Sequence, residues 1–273
     1  MDRPSAPRHL ECVLNVSEGT RTDVVDAIAG AAARDLLDVH SDRHHNRSVL
    51  TLVGEDAPRA VARAAVERLD LRRHEGVHPR IGVVDVVPFV PLVGATLADA
   101  VAARDRFLAW IAAELGVPGF AYGPERTLPE VRRRAFAGLT PDAGPPRPHP
   151  SAGAVAVGAR DVLVAWNLWL AEPDLARART VAAEVRSPEV RALGLAVGER
   201  VQVSLNLVEP TTVGPAEAWD RVAARVPVAG AELVGLIPQA VLDRTDPARW
   251  PQLDLAADRT IEARLALREA RDR

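Results

Sequence analysis

The order in which the apolar period changes along the chain constrains its fold more than any other feature. Residues 10–16 alternate as a strand does, and residues 20–34 gather small and β-branched side chains on one helical face. Residues 36–40 and 48–53 predict two strands around a polar turn, 41–47, rich in Asp, Asn and His. Residues 57–69 return to helical spacing, and residues 81–87 form a continuous β-branched run of the kind buried on both faces. The order is β-α-β-β-α-β, a split βαβ arrangement with its helices on one face of the sheet. A long helix is expected over 97–115, stopped by Gly116 and Pro118, and a shorter one near 129–136.

Residues 140–153 break the pattern. Pro145, Pro146, Pro148 and Pro150 exclude helix and central strand, so the stretch taken alone has the composition of a rigid interdomain linker. Beyond it the order recurs. Strands are expected at 154–157 and 162–170, a helix at 175–185, strands at 193–197 and 202–208, a helix at 216–225 and a strand at 232–236. No residue-level repeat accompanies this recurrence, so the duplication is one of architecture. Residues 256–271 are expected to close the chain as a charged amphipathic helix. The expected fold class is α/β (α+β), two βαββαβ subdomains over residues 9–158 and 159–273.

Composition narrows the chemistry. The chain has one cysteine, Cys12, and all 34 of its basic side chains are arginine, which excludes disulfide frameworks, cysteine zinc sites, Schiff-base lysines and the P-loop lysine within this chain. Neither a G-x-S-x-G elbow nor a G-x-G-x-x-G fingerprint occurs. Arginine holds its proton near neutral pH, so acid–base work falls to His, Asp, Glu or Tyr. The net charge of −3 carries no nucleic-acid footprint. No apolar run approaches the roughly 20 residues that span a bilayer, and residues 1–8 lack the apolar core of a secretory signal, so a cytoplasmic protein is expected.

Five of the seven histidines lie between positions 40 and 78: His40, His44, His45, His74 and His78. His74-Glu75-Gly76-Val77-His78 fits H-E-x-x-H, a zinc pattern only when a helix puts both imidazoles on one face. Gly76 weakens such a helix and Pro79 drives His78 away from the α region. Arg68, Arg72, Arg73 and Arg80 crowd the same stretch, with Arg47 in the preceding turn. Guanidiniums beside a titratable imidazole suit binding a carboxylate and moving a proton near it, and Arg80 is the first choice to face the substrate.

Several ordered runs then carry a resemblance: Glu11-Cys12-Val13-Leu14-Asn15-Val16-Ser17-Glu18-Gly19, Asn46-Arg47-Ser48-Val49, Arg73-His74-Glu75-Gly76-Val77-His78-Pro79-Arg80-Ile81-Gly82, Asp85-Val86-Val87-Pro88-Phe89-Val90-Pro91, Pro141-Asp142-Ala143-Gly144-Pro145, Gln202-Val203-Ser204-Leu205-Asn206-Leu207 and Leu233-Val234-Gly235-Leu236-Ile237-Pro238. Together they resemble the glutamate formimidoyltransferase family. The resemblance implies two α/β subdomains whose sheets face each other across a folate cleft, a homodimer, and transfer of a formimidoyl group from N-formimidoyl-L-glutamate to tetrahydrofolate in histidine breakdown. Tetrahydrofolate would act as co-substrate, with no metal.

The family's catalytic histidine matches His78, and its folate-lining loop matches Gly144, Pro145, Pro146, Arg147, Pro148, His149, Pro150, Ser151, Ala152 and Gly153, which turns the linker into a binding wall. Arg80, Arg47 and His40 complete the expected binding set; His40 stands where animal relatives carry an aspartate. The stand-alone form is expected, without the cyclodeaminase domain of animal members. The segments after Tyr122-Gly123, before Pro141 and around 187–192 look shorter than is usual. Three other classes stay open: a formyl-folate–glutamate formyltransferase, a folate-binding relative without turnover, and a metal-dependent hydrolase built on H-E-x-x-H.

Overall fold

A computed structural model describes residues 9–76 and 79–271. The chain divides into two compact units between Asp161 and Val162.

In the first unit the elements run β1 (Leu10–Val16), α1 (Thr22–Gly30), β2 (Leu36–Asp42), β3 (Arg47–Val53), α2 (Asp56–Arg68) and β4 (Val84–Pro91), the predicted order. After these come α3 (Leu97–Leu115), β5 (Gly119–Tyr122), α4 (Leu128–Arg134) and β6 (Val155–Ala159). Among the described residues the strands form one sheet of order β2-β3-β1-β4-β6-β5. The first four pair antiparallel, whereas β6 lies parallel to both β4 and β5. A parallel neighbour needs a crossover: α3 carries the chain from β4 to β5, and α4 with the stretch after it carries it from β5 to β6 between them. The strand expected at 154–157 therefore belongs to the first sheet and not to the second motif. The strand expected at 81–87 starts later: Ile81 donates its N–H to the Asp85 carboxylate, and Val83 donates to the Ala152 carbonyl.

Helices α1, α2 and α3 bury Ile28, Val61, Ala62, Ala65, Phe107 and Ile111 against Leu14, Leu50, Leu52 and Phe89 on one face of this sheet. Each large side chain buried there contributes about 1.5–3 kcal/mol. A capping box between Thr96 and Asp99 starts α3, and Gly116, at φ 63°, ends it in the left-handed conformation that costs glycine nothing. Helix α4 lies on the opposite face, held by Val131 among Val86, Phe120, Tyr122, Ala154 and Ala156.

The second unit runs β7 (Val164–Leu170), α5 (Leu175–Val185), β8 (Val190–Val197), β9 (Arg200–Leu207), α6 (Pro215–Ala223) and β10 (Val228–Val234), then α7 (Gln239–Leu242) and α8 (Ile261–Ala270). Its antiparallel sheet has the order β10-β7-β9-β8. By position in the motif, the second sheet and the first four strands of the first sheet share one order: fourth, first, third, second. The architectural repeat is therefore real. Trp166, Leu168, Val203 and Leu205 pack against Val181 and Ala182 of α5 and Trp219 and Val222 of α6. The closing helix is shorter than expected, because Thr260 caps it by accepting the Ala263 N–H. Among the described residues no helix is long and apolar enough to cross a membrane.

Candidate active site

The chemistry-bearing segment joins α2 to β4. Val77 and His78 lie outside the described residues, so the predicted catalytic histidine is approached through its neighbours. The backbone on both sides of it is pinned by side chains from elsewhere in the first unit. Asn46 donates its amide to the Glu75 carbonyl at 2.7 Å and accepts the Gly19 N–H at 2.9 Å. Arg80 donates to the Gly76 carbonyl at 2.9 Å. Arg132 donates to the Pro79 carbonyl and to Asp85, and Ser17 donates to the Gly82 carbonyl. Gly76 is required here by space: a Cβ would sit 2.7 Å from the His45 carbonyl oxygen and 2.9 Å from the Asn46 side chain. The turn between β2 and β3 thus packs directly on this loop.

The predicted arginines separate into two groups. Burial pushes the Arg47 guanidinium down to about 10, against the pull of Asp85 and with the push of Arg132 and Arg80. Arg80 is lowered for the same reasons, burial first, then the balance between Asp85 and Arg132. Arg47 and Arg80 thus both lie in the field of Asp85 and of Arg132, and Arg132 forms an ion pair with that carboxylate. Arg72 turns away and forms an ion pair with Asp70, Nη2 to Oδ2 at 2.6 Å. Arg73 lines a cavity of about 420 Å³ together with Ser17, Glu18, Arg21, Arg68 and His74. His40 sits on edge strand β2, in register with Val49, which pairs in turn with Asn15 and through it with Val86.

The H-E-x-x-H reading meets a geometric obstacle. His74 leaves a short 3-10 turn in extended backbone, φ −88° and ψ 128°, so no α-helix carries residues 74–76. Among the described residues no group of three His, Cys, Asp or Glu side chains is placed to hold a metal ion. Burial, and then the Arg80 charge, lowers the His74 pKa and favours its neutral ring.

The segment 144–153 is anchored, not free. Ala143 accepts the Gly119 N–H, Leu71 donates to the Ser151 carbonyl at 2.7 Å, and Ala154 donates to the Ile81 carbonyl. Residues 144–148 and Pro150 stay exposed. His149 closes the turn: its Nδ1 accepts the Ser151 and Ala152 N–H groups at 3.3 and 3.0 Å. An accepting Nδ1 puts the proton of the neutral ring on Nε2.

Glu18 supports this region electrostatically. Burial pushes its carboxyl up, but the Arg21 and Thr20 N–H groups and both their side chains outweigh it and hold the pKa at about 2. A depressed folded pKa gives stability that is complete above the ordinary value of 4.5 and is lost as pH falls toward 2. Glu18→Gln is therefore expected to unfold about 1–2 kcal/mol more easily at pH 7. Urea titrations at pH 7 and pH 2.5 should show that difference shrinking in acid.

These elements define a class: a two-unit α/β protein of split βαβ topology, with a histidine- and arginine-bearing loop leading into the fourth strand of its first unit. Within that class the chain belongs to the formiminotransferase family. Residues 9–160 match the family model described as the formiminotransferase domain, N-terminal subdomain. The chain is 35% identical over 269 residues to the glutamate formimidoyltransferase of Streptococcus pyogenes serotype M1, covering 85% of this chain and 90% of that protein. It is 34% identical over 273 residues to the glutamate formimidoyltransferase of Thermoplasma acidophilum, covering 86% and 90%. The Sus scrofa formimidoyltransferase-cyclodeaminase is 35% identical over 277 residues, 86% of this chain and 51% of that protein, so the chain spans about half of that relative's length.

Two residues of the site escaped the sequence reading of chemistry. Asp85 lay in plain view inside the Asp85-Val86-Val87-Pro88-Phe89 run, read there only as strand. Arg132 gave no signal, being one of three consecutive arginines at the end of a short helix.

Proposed function

We propose that this chain is a glutamate formimidoyltransferase that moves the formimidoyl group of N-formimidoyl-L-glutamate to N5 of tetrahydrofolate. The observation that carries the reading is the similarity to the S. pyogenes enzyme along nine-tenths of its length. The N5 amine attacks the amidine carbon, forming a C–N bond and a tetrahedral intermediate. The bond from that carbon to the glutamate nitrogen then breaks, and glutamate must leave as a neutral amine. His78 takes the proton that N5 loses and returns it to the departing nitrogen, a task suited to an imidazole of ordinary pKa near 6.5. Holding both substrates in one site supplies further acceleration.

Arg47 and Arg80 serve the substrate carboxylates, supported by the place of Arg80 two residues after His78 and of Arg47 beside Asn46, whose amide holds the Glu75 carbonyl of the same loop. Residues 144–153 form a wall of the folate site. Four prolines stiffen that wall, its backbone anchors hold it, and His149 Nε2–H is its donor. His40 completes the binding set. The family resemblance further supports a homodimer, a cytoplasmic location and a place in histidine breakdown.

An assay offering each donor separately tests the reading. Glutamate release is expected with N-formimidoyl-L-glutamate and tetrahydrofolate; turnover only with a formylated folate and glutamate would overturn it. In the same assay Arg47→Ala should raise the KM for the formimidoyl donor about tenfold, the loss of one charge-assisted carboxylate contact, with kcat changed far less.

A further inference from the structure

We infer that β8 is a self-association surface, on which it pairs antiparallel with β8 of a second copy of this chain about a two-fold axis at Gly194. The inference gives a surface to the homodimer proposed above, on which it rests, and is independent of the reaction. An unpaired strand edge is a template for another chain, and edges that stay free are blunted by charge, bulges or shortness. Among the described residues, three of the four sheet edges are blunted. Strand β5 has only four residues. Strand β2 shifts register between Leu36 and Asp38 and carries Asp38, His40 and Asp42. Strand β10 shifts register between Val228 and Gly230 and carries Glu232. Strand β8 has none of these devices. It pairs with β9 without a break from Val190 to Val197, and residues 192–197 hold no charge and no proline.

The ladder fixes which backbone groups point outward. Val208 donates to the Glu189 carbonyl at 2.7 Å, so by antiparallel alternation the odd-numbered residues face β9 and 190, 192, 194 and 196 face the open edge. Two contacts agree with this: Val190 exchanges bonds with Ser187, and Arg186 Nε donates to the Ala192 carbonyl at 2.9 Å. Side chains alternate too. A Cβ on Gly194 would strike the α5 backbone at Ala178 and Arg179, so Leu193 and Leu195 point to the opposite face.

This edge is complementary to itself. Residues 192–196 read Ala-Leu-Gly-Leu-Ala, the same in both directions from Gly194. The two-fold sets Gly194 against its own mate and Ala192 against Ala196 of the second copy, and each pair exchanges both N–H···O bonds. A carbonyl has two lone pairs, so Ala192 can keep Arg186. Leu193, 57% exposed, then lies opposite Leu195 of the second copy, and both leave water. Farther out, Arg191 lies opposite Val197 of the second copy with Glu199 as its diagonal neighbour, about 7–8 Å away and within reach of long side chains. Arg191 and Glu199 are both exposed, and neither makes an ion pair among the described residues. The occupant is a second copy because the apolar step and the charge pair both match themselves under the two-fold.

Light scattering of the unaltered protein should give twice the chain mass of 29.3 kDa, falling on dilution. Leu193→Glu should raise the dimer dissociation constant about a hundredfold or more, with circular dichroism unchanged because the side chain is exposed in one copy. Arg191→Glu should raise it about tenfold, and Arg191→Glu with Glu199→Arg should return it to within about threefold of the unaltered value. Leu193→Cys with Leu195→Cys should run as a covalent dimer after mild oxidation, because their Cα atoms would lie about 4.5 Å apart across the axis. Cys12 is 0% exposed and takes no part. A dissociation constant untouched by Leu193→Glu, a charge reversal that its partner does not repair, or a double-cysteine variant that does not cross-link would overturn the β8 contact and leave the homodimer standing. An unaltered protein that is monomeric at every concentration would remove both.

Discussion

Replacing His78 by alanine is expected to lower turnover by about a hundredfold or more, the range that positioned proton transfer contributes, while the protein stays folded. The reaction has one step that water serves poorly: expelling a glutamate nitrogen from a tetrahedral intermediate without first protonating it. Binding of both substrates survives the change, so KM should move little and the loss should appear in kcat. The pH dependence is a second signature. A base that must be unprotonated makes kcat/KM of the unaltered enzyme fall on the acid side, and His78→Ala should lose that fall. Near-normal turnover in His78→Ala would sink the assignment. Circular dichroism on the same sample separates a catalytic loss from unfolding.

Trp166→Ala should produce the largest stability change. Trp166 is 0% exposed on β7, an interior strand of the second sheet, and its Nε1–H donates to the Leu253 carbonyl at 3.0 Å. Truncating a fully buried tryptophan costs about 3–5 kcal/mol, and the orphaned carbonyl adds to it. Domains of this kind hold only about 5–15 kcal/mol in total, so the second unit should be close to unfolding at 25 °C. Four of the five tryptophans lie in that unit, so fluorescence in a urea titration reads it directly. Trp166→Phe should cost less than half as much, because it leaves the smaller cavity. A midpoint shifted equally by both variants would show that the ring fills no specific space.

The candidate site was partly legible before folding. Gly76 marked the loop as non-helical, and the structure gives the reason: the turn carrying His45 and Asn46 leaves no room for a Cβ. The crowding of arginines at 68–80 was visible, but their division was not. Arg72 and Arg73 are adjacent in sequence, yet one pairs with Asp70 at the surface and the other lines a cavity. Arg80 and Arg47 share the field of Asp85, and the β2–β3 turn that precedes Arg47 packs on the loop leading to β4.

Local chemistry in the sequence determined the elements. Strand β1 at Leu10–Val16 and helices α3 and α5 at Leu97–Leu115 and Leu175–Val185 fall where period and caps place them, since side-chain periodicity and cap residues act within a few positions. Only tertiary structure decided that β6 joins the first sheet, that the four-residue β5 pairs beside it, and that Arg132 reaches Pro79 and Asp85. Parallel pairing and a guanidinium spanning 53 residues depend on which distant surfaces meet once the apolar faces are buried, and no local spacing records that.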